Sequence, residues 1–465
     1  MKIEIITALV FGLVYVFFTY KVRKTSTFDS FAIGDRNING FFIFASLSAT
    51  IVGPGFSLGF VSEGFSTGFL FAILASAYGL QMIVVGNYVA PRIRNKFPNA
   101  FSLGDIVGGT NSHNDKYLQL LSGIVSFSIC VGVVGILTKA GGDIFNVFLG
   151  ISQSYGAILM TGIVIVYSFF GGIKASILTD TFQFILFIIL IPLLFIFLVT
   201  SEQFEVQSFI SQSKSLTKGG FDSHTFTSTL GLIAWFVFGD ILQPPILNRV
   251  LASKSSSISK KAFIYTGIFC FFWLILMTGL GITSHLVMDL STGSDQTLLL
   301  LGKNFYPPFL YGLFIIAMLG IVMSSQDSII NAGATVFAKD ILQPLARDGI
   351  LNSKKQLLYS RVATVFIGFA GLLISFLVPS ILQGLLFLAS IWAPTMLVVI
   401  LASIFLEEHY SQVGILSIIT GFTSSLLWTY SYYSEMIPSI LIGILISSVT
   451  YITGHKFYKL KNLRT

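Results

Sequence analysis

The sequence is poor in charge and in cysteine, and each shortage excludes a class of protein. Charged side chains make up only 10% of the 465 residues, hydrophobic ones make up 54%, and the mean hydropathy is +0.85. A water-soluble body cannot bury that much apolar surface, so we expect a membrane protein. The two cysteines, Cys130 and Cys270, lie within apolar runs, which argues against a structural disulfide or a cysteine metal site.

Histidine is also scarce, and this shortage bears on one motif. Residues 55–59 read GFSLG, which fits the G-x-S-x-G pattern of a hydrolase nucleophile at Ser57. Such a serine needs a strand before it, a helix after it and a histidine base nearby. The histidines fall instead in predicted loops or at the ends of apolar runs, at His113, His224, His285, His409 and His455. We therefore predict that the protein is not an enzyme and that GFSLG lets an apolar helix unwind and restart.

Apolar runs of about 20 residues, long enough to cross roughly 30 Å of hydrocarbon, recur along the chain. They predict an all-α polytopic membrane protein with about 13 transmembrane helices, numbered here as spans 1 to 13, and no soluble domain. The spans lie near residues 4–20, 41–60, 68–90, 119–137, 155–173, 177–199, 226–247, 262–288, 306–330, 360–379, 381–406, 413–431 and 437–454.

Most of the 27 basic residues follow odd-numbered spans, among them Arg249 and Lys254 after span 7. By the positive-inside rule these segments face the cytoplasm, which places the N-terminus outside and the C-terminus inside. We expect the plasma membrane, the inner membrane of a bacterium, with span 1 retained as an anchor. The net charge of +7 follows from loops that face anionic lipid and does not indicate a nucleic-acid partner.

Two spans carry helix breakers in their interiors, Gly53-Pro54-Gly55 in span 2 and residues 239–245 (GDILQPP) in span 7. We predict that both helices are interrupted and that the freed backbone groups face a cavity rather than lipid. Spans 2–6 and 7–11 would then form a five-plus-five inverted repeat with a binding site at mid-membrane. Ordinary proline kinks in a helix bundle explain the breakers equally well.

This organisation divides a single transporter domain, residues 1–465, into four parts. They are an N-terminal helix with its linker, the two repeats and two C-terminal helices, at residues 1–38, 39–200, 226–406 and 407–465.

Span 9 contains a polar run, Ser324-Ser325-Gln326-Asp327-Ser328, where a carboxylate costs at least ~2.5 kcal/mol in the bilayer. The serines could bond back to carbonyls one turn earlier, with Asp327 at the cytoplasmic edge. Alternatively, the break in span 2 frees carbonyls around Ala49 and Val52, which with adjacent hydroxyls make an all-oxygen site for sodium. Asp180, at a similar depth in span 6, favours this second interpretation.

Four segments resemble the sodium:solute symporters of the leucine-transporter fold. TFDSFAIGDRNINGF is similar to the segment that leads into their first core helix, GGIKASILTDTFQ to a core turn and ILNRVLASKS to the end of span 7. The most specific is MSSQDSIINAGATVFAKDI in span 9.

The resemblance implies a main sodium site and, as in some members, a second one. The main site comprises the carbonyls of Ala49, Val52 and Ile321 and the hydroxyls of Ser324 and Ser325; the second comprises Asp180, Asp327 and Ser328. Asp327 departs from members with serine there, and it could strengthen the second site or hold a lysine or arginine.

For the solute, the resemblance implies a site between the interrupted helices, formed by Phe56, Tyr78, Phe236 and Asp240. Members that transport galactose have polar groups where this chain has Ile51, Phe56 and Ala75, so a sugar is disfavoured. Asp240 could meet a substrate amine or stay paired within the protein. Lys139 could anchor a carboxylate or lie at the membrane interface.

The resulting hypothesis is a sodium-coupled symporter that imports a small organic solute by alternating access, with Na+ as the coupling ion. An amino acid, carboxylate or vitamin is favoured over a sugar. We expect the solute and the lipid bilayer as partners, no nucleic acid, and a functional monomer. The alternatives are a passive channel or a membrane sensor with a transporter-like fold.

Overall fold

The computed structural model describes residue 6 and residues 27–108, 115–223, 225–288, 295–346 and 351–462. Within these ranges the protein is helical, and the only strand-like pairing is an isolated bridge between Ile38 and Ser253. Predicted span 1, near residues 4–20, lies outside the described residues apart from Ile6.

Helices occupy the positions of spans 2 to 13. Their bounds, in chain order, are Gly40–Ile51 with Gly55–Thr67, Leu70–Lys96, Lys116–Leu149, Gln153–Val199 for spans 5 and 6, Phe226–Phe238 with Pro244–Ala252, Ser256–Val287, Pro308–Val336, Ser353–Ser375, Ile381–Phe405, Ser411–Thr429 and Ser439–Asn462. Shorter helices connect them, at Phe28–Ile33, Leu103–Val107, Val206–Ser223 and Thr297–Phe305.

By length and composition, nine of the described helices could each cross a membrane, or ten if the bent pair of span 2 counts as one. The predicted number was larger. Spans 5 and 6 count here as one 47-residue segment because their helices join directly at a turn at Gly172, the halves of span 7 are too short to qualify, and span 1 lies outside the described residues. The coarse prediction of an all-α polytopic membrane protein is confirmed, whereas the count of 13 and the inverted repeat stay predictions.

Span 2 breaks where the sequence places its breakers. Helix Gly40–Ile51 meets helix Gly55–Thr67 at a bend of 59°, and the second half starts with a π-helical turn over GFSLG. Pro54 has no N–H, so the carbonyl of Thr50 loses the helical donor it would otherwise have four residues later. The predicted interruption is therefore present, and it leaves a backbone acceptor in need of another partner.

Span 7 is interrupted in the same manner. Helix Phe226–Phe238 stops, Leu242 takes a left-handed φ of 52°, and the chain restarts with Pro244 at the first position of helix Pro244–Ala252. Proline is well suited to that position because no N–H is needed there. The carbonyl of Ile241, exposed by the break, accepts a hydrogen bond from the indole of Trp392 in span 11 at 3.1 Å.

The long helix Gln153–Val199 turns at Gly172, which has φ 63° and ψ −177°. This conformation is accessible essentially only to glycine. A Cβ built at Gly172 would also lie 2.7 Å from the Cα of Phe31, in the short helix Phe28–Ile33. The glycine therefore both allows the turn and lets the short helix pack against it.

We expect Gly172→Ala to destabilise the folded protein by about 2 kcal/mol, because alanine is strained at this φ and ψ. Thermal unfolding of the purified protein in detergent would show a lower midpoint. Gly162→Ala is the control, since a Cβ there meets nothing within 4 Å. Equal midpoints for the two variants would contradict the assigned role of Gly172.

Candidate functional site

The two hydroxyls predicted for the main sodium site bind the open end of span 2. Ser324 Oγ donates to the Ala49 carbonyl at 3.1 Å, and Ser325 Oγ donates to the Thr50 carbonyl at 2.9 Å. Both hydroxyls also lie within 3.3 Å of the Ile321 carbonyl in their own helix. The break in span 2 and the polar run of span 9 therefore form one cluster of buried oxygens.

Val52 and Thr50 differ from the prediction. The Val52 carbonyl accepts a hydrogen bond from Ser57 Oγ at 2.6 Å, within its own span. The Thr50 carbonyl, which was not predicted, bonds directly to Ser325. Pro54 was the available signal, because a proline leaves the carbonyl four residues earlier without its helical donor. The structure therefore brings together Ala49, Ile321, Ser324 and Ser325 of the predicted set and adds Thr50.

Gly53 allows this close approach. The nearest atom to a Cβ built at Gly53 is Ser325 Oγ, so any larger residue would displace the hydroxyl. Neutral carbonyl and hydroxyl oxygens gathered at an unwound helix are the ligands that transporters use for sodium. Sodium would lie between the carbonyl and hydroxyl oxygens, with the hydroxyl hydrogens turned away from the carbonyls to which they now donate.

Ser57 bridges the break in span 2. It is fully buried, it donates to the Val52 carbonyl, and its Oγ accepts from the indole of Trp273 at 3.3 Å. Its hydrogen-bonding groups hold the restarted helix in place, in agreement with the prediction that GFSLG lets an apolar helix unwind and restart.

A buried arginine lies at the second predicted ion site. Arg249 is 0% exposed, and its Nη2 lies 3.1 Å from Asp180 Oδ2. The guanidinium also donates to the Pro245 carbonyl, to Ser46 Oγ and, over a short distance, to Ser328 Oγ. The positive-inside count had placed Arg249 in a cytoplasmic loop, and that placement is wrong, because the second half of span 7 carries it into the protein interior.

Asp327 belongs to the same network without a direct bond to Arg249 among the hydrogen bonds of the described residues. Its Oδ1 accepts from Ser176 Oγ at 3.1 Å and from Ser328 Oγ at 3.2 Å. The three residues predicted for a second sodium site, Asp180, Asp327 and Ser328, are thus linked. Arg249 donates to two of them, Asp180 and Ser328, and so occupies the place where an ion would bind to these two residues.

A cavity with about 90 Å³ of space open to water-sized particles lies beside the Ser324 and Ser325 cluster. It is bounded by the two interrupted helices and by spans 4, 9 and 11. Most of its walls are apolar, and its polar side chains come from Thr50, Ser325, Asp240 and Gln243. The cavity has the location and the mixed lining typical of a small-molecule site.

Two of the four predicted solute residues, Phe56 and Asp240, line this cavity, and the other two support them. The hydroxyl of Tyr78 donates to Asp240 Oδ2 at 2.9 Å, and Phe236 packs against Phe56 with ring centroids 6.3 Å apart. Trp235 and Gln243 also line the cavity and were missed.

Only one of the two carboxylate oxygens of Asp240 has a hydrogen-bond partner. Its Oδ2 bonds to Tyr78, whereas its Oδ1 is buried without a hydrogen-bond partner. Lys139 lies elsewhere, in ion pairs with Asp143 at 3.0 Å and Asp295 at 3.1 Å. Asp240 is therefore the charged side chain that the cavity offers to a solute.

Interrupted helices that meet at a cluster of buried oxygens beside a cavity define a cation-coupled secondary transporter. The model of the sodium:solute symporter family matches residues 31–421, and the chain belongs to this family.

Named relatives agree with this assignment. The chain is 26% identical over 453 residues to a high-affinity proline transporter of Bacillus subtilis, covering 92% of this chain and 93% of the relative. It is 23% identical over 500 residues to a sodium/pantothenate symporter of Haemophilus influenzae, covering 98% and 97%. Its fold matches that of a Na+-coupled sialic acid symporter in a substrate-bound outward-open state, with a TM-score of 0.84, 18% identity and coverage of 97% and 96%.

We expect Ser325→Ala to raise the sodium concentration for half-maximal uptake about tenfold, because one hydroxyl ligand is worth roughly 1 to 1.5 kcal/mol. Uptake measured over a range of sodium concentrations in proteoliposomes checks this. Ser360→Ala is the control, since Ser360 is also buried and bonds to a carbonyl of its own helix. An unchanged sodium dependence in Ser325→Ala would remove Ser325 from the site.

Proposed function

We propose that the protein imports a small solute carrying both an amine and a carboxylate, an amino acid in the simplest case, together with sodium. Sodium-coupled symport of a small solute is the function of its family, and the solute class is our proposal. One observation carries it: Asp240 lines the cavity beside the sodium cluster and keeps one carboxylate oxygen without a partner.

The cavity is lined both by a carboxylate and by the start of a helix. Asp240 offers a negative charge to an ammonium group. The second half of span 2 begins at the cavity wall, at Gly55, which belongs to the lining. A helix N-terminus carries a partial positive charge and favours a carboxylate. This polarity fits a zwitterion better than a sugar or a simple anion.

The relatives named above support a carboxylate in the solute, since proline and pantothenate both carry one. Proline also carries an amine. A buried Asp240 with one carboxylate oxygen free of hydrogen bonds would favour that amine. Ile51 and Phe56 line the cavity with apolar surface, which leaves few partners for the hydroxyls of a sugar.

Coupling follows from shared residues. Thr50 and Ser325 bond to each other at the sodium cluster, and both also line the solute cavity. An ion that fixes these two residues therefore shapes the wall that a solute meets, and the solute in turn favours the ion-bound arrangement. With ~2.3 kcal/mol per charge at 100 mV and ~1.4 kcal/mol for a tenfold sodium gradient, one ion could sustain roughly 500-fold accumulation of a neutral solute.

We further infer that the N-terminus is outside and the C-terminus is in the cytoplasm of a bacterial cell, with one chain as the functional unit. The basic segments after odd-numbered spans support the orientation. The interruptions of spans 2 and 7, five spans apart, support an inverted repeat over residues 39–200 and 226–406.

Replacing external sodium by choline should abolish concentrative uptake by proteoliposomes of labelled amino acids, including L-proline, that are supplied in the external medium. The reason is that choline cannot enter a cluster of closely spaced oxygens. Liposomes without protein give the background. Accumulation that persists undiminished in choline would rule out sodium coupling, and saturation of the flux separates a transporter from a passive channel.

We expect Asp240→Asn to lower the efficiency of amino-acid uptake by about 10- to 100-fold, since a hydrogen bond to a charged group is worth roughly 1.5 to 3 kcal/mol. The half-maximal sodium concentration should change much less. The exposed Asp222→Asn serves as the control. Full activity of Asp240→Asn towards a zwitterion would place the recognition of the amine elsewhere.

A further inference from the structure

Helix Val206–Ser223 connects spans 6 and 7 at the surface of the protein. It contains 18 residues and is therefore about 27 Å long. Span 6 ends at Val199 and span 7 begins at Phe226, so short connections hold both ends of the helix at the same face of the membrane. A helix of this length that is held at both ends lies along the membrane surface instead of standing upright on it.

One face of this helix is apolar over a wider area than the protein covers. Its large apolar residues occupy positions on one side of the helix, at Val206, Phe209, Ile210, Leu216 and Phe221. Phe209 and Leu216 are partly buried. Val206, Ile210 and Phe221 are 63%, 45% and 42% exposed. The protein therefore covers one part of the apolar face and leaves the other part open.

The covered part packs on the turn between spans 2 and 3. The backbone N–H of Phe69 donates to Thr217 Oγ1 at 2.9 Å. Gly68 in this turn has φ 60°, and a Cβ built there would lie 2.5 Å from Thr217 Oγ1. A Cβ built at Gly220 would lie 3.0 Å from the carbonyl oxygen of Thr67. Two glycines, one on each side of the contact, thus allow the helix to lie directly on the turn.

Two lysines border the open part of the apolar face. Lys214 follows Ile210 by four residues, Lys218 follows Lys214 by four, and both lysines are exposed. Each step of four residues turns about 40° round the helix axis, so the lysines lie at the edge of the apolar face. Asp222 lies about 160° from Val206, on the opposite side. A lysine at such an edge lays its methylene groups along apolar surface and keeps its ammonium group in a polar layer.

From this arrangement we propose that anionic phospholipid binds helix Val206–Ser223 and docks it on the surface of the bilayer. Val206, Ile210 and Phe221 insert among the upper parts of the acyl chains, and the ammonium groups of Lys214 and Lys218 bind lipid phosphate groups. A helix with an apolar face and lysines beside that face is the type that lies in this interface. The proposal goes beyond the transport function and holds whichever solute or ion is carried.

Position and charge favour lipid over a soluble partner. Phe226, the first residue of the helix that follows, is 77% exposed, so exposed apolar side chains occur on both sides of the short connection into span 7. The open apolar face is therefore next to a surface that already meets lipid. The positive charges of Lys214 and Lys218 complement phosphate groups at the depth where a helix joined to two spans must lie.

The docked helix is tied to a part of the protein that reaches the solute cavity. The turn that holds Thr217 follows Thr67, the last residue of helix Gly55–Thr67. Gly55, at the other end of that helix, lines the cavity. Lipid at Val206–Ser223 therefore fixes the end of span 2 that is remote from the cavity.

The test is the accessibility of a nitroxide label on single-cysteine variants of the full-length protein in phospholipid nanodiscs, measured by electron paramagnetic resonance. Oxygen concentrates among acyl chains, whereas a nickel chelate stays in water. Labels at Ile210→Cys and Phe221→Cys should have an oxygen-to-nickel accessibility ratio about threefold above that at Ser215→Cys, the matched control. Ser215 is exposed and lies on the opposite side of the same helix. Unmutated protein treated with the label gives the background from the buried Cys130 and Cys270.

Nanodiscs of phosphatidylcholine with and without phosphatidylglycerol test the lysines. Phosphatidylglycerol should raise the ratio at Ile210→Cys about twofold, and combining Lys214→Gln with Lys218→Gln should remove this increase. Lys303→Gln is the control, since Lys303 is an exposed lysine on another connecting helix, Thr297–Phe305.

Equal ratios at Ile210→Cys, Phe221→Cys and Ser215→Cys would overturn the docking. Labels at the first two positions that are shielded from both reagents would overturn it as well and indicate a second protein chain on this face. A ratio that does not respond to phosphatidylglycerol would overturn the binding of anionic lipid. A response that persists without both lysines would overturn their part in it.

Discussion

The structure depends on one requirement of the bilayer interior, that a backbone carbonyl must have a hydrogen-bond partner. Pro54 removes the donor that the Thr50 carbonyl would have in a continuous helix, and Ser325 supplies the replacement from span 9. Ser324 does the same for Ala49. The hydrogen bonds that repair the broken helix are thus made by the groups proposed to bind sodium, so ion binding would exchange one set of partners for another instead of exposing any group to lipid.

The same requirement organises the solute side. Span 7 stops before Asp240 and restarts at Pro244, and the side chain of Trp392 satisfies the carbonyl left at Ile241. This stop places Asp240 at the cavity wall, where Tyr78 holds one of its oxygens. Two helix interruptions, each repaired by a neighbouring helix, therefore bring both the oxygen cluster and the carboxyl group of Asp240 to the same cavity.

The sequence predicts best what depends on local chemistry. The breaks at Gly53-Pro54-Gly55 and at Pro244 follow from the missing N–H of proline, and the hydroxyls of Ser324 and Ser325 stand out in an apolar run. The family resemblance supplied the pairing of these two regions. Arg249 was misplaced because a basic residue beyond an apolar run resembles a cytoplasmic loop, and only the path of helix Pro244–Ala252 through the interior shows otherwise. The pairing of Lys139 with Asp295, 156 residues away, has no local signal either.

Arg249 also bears on the electrical behaviour of the transporter. Its charge is covalently attached to helix Pro244–Ala252, so it cannot be released on either side of the membrane. Any displacement of that helix along the membrane normal moves this charge and then returns it when the helix resets. Arg249 would thus contribute to transient currents that follow a voltage step, while adding nothing to the net charge carried per turnover.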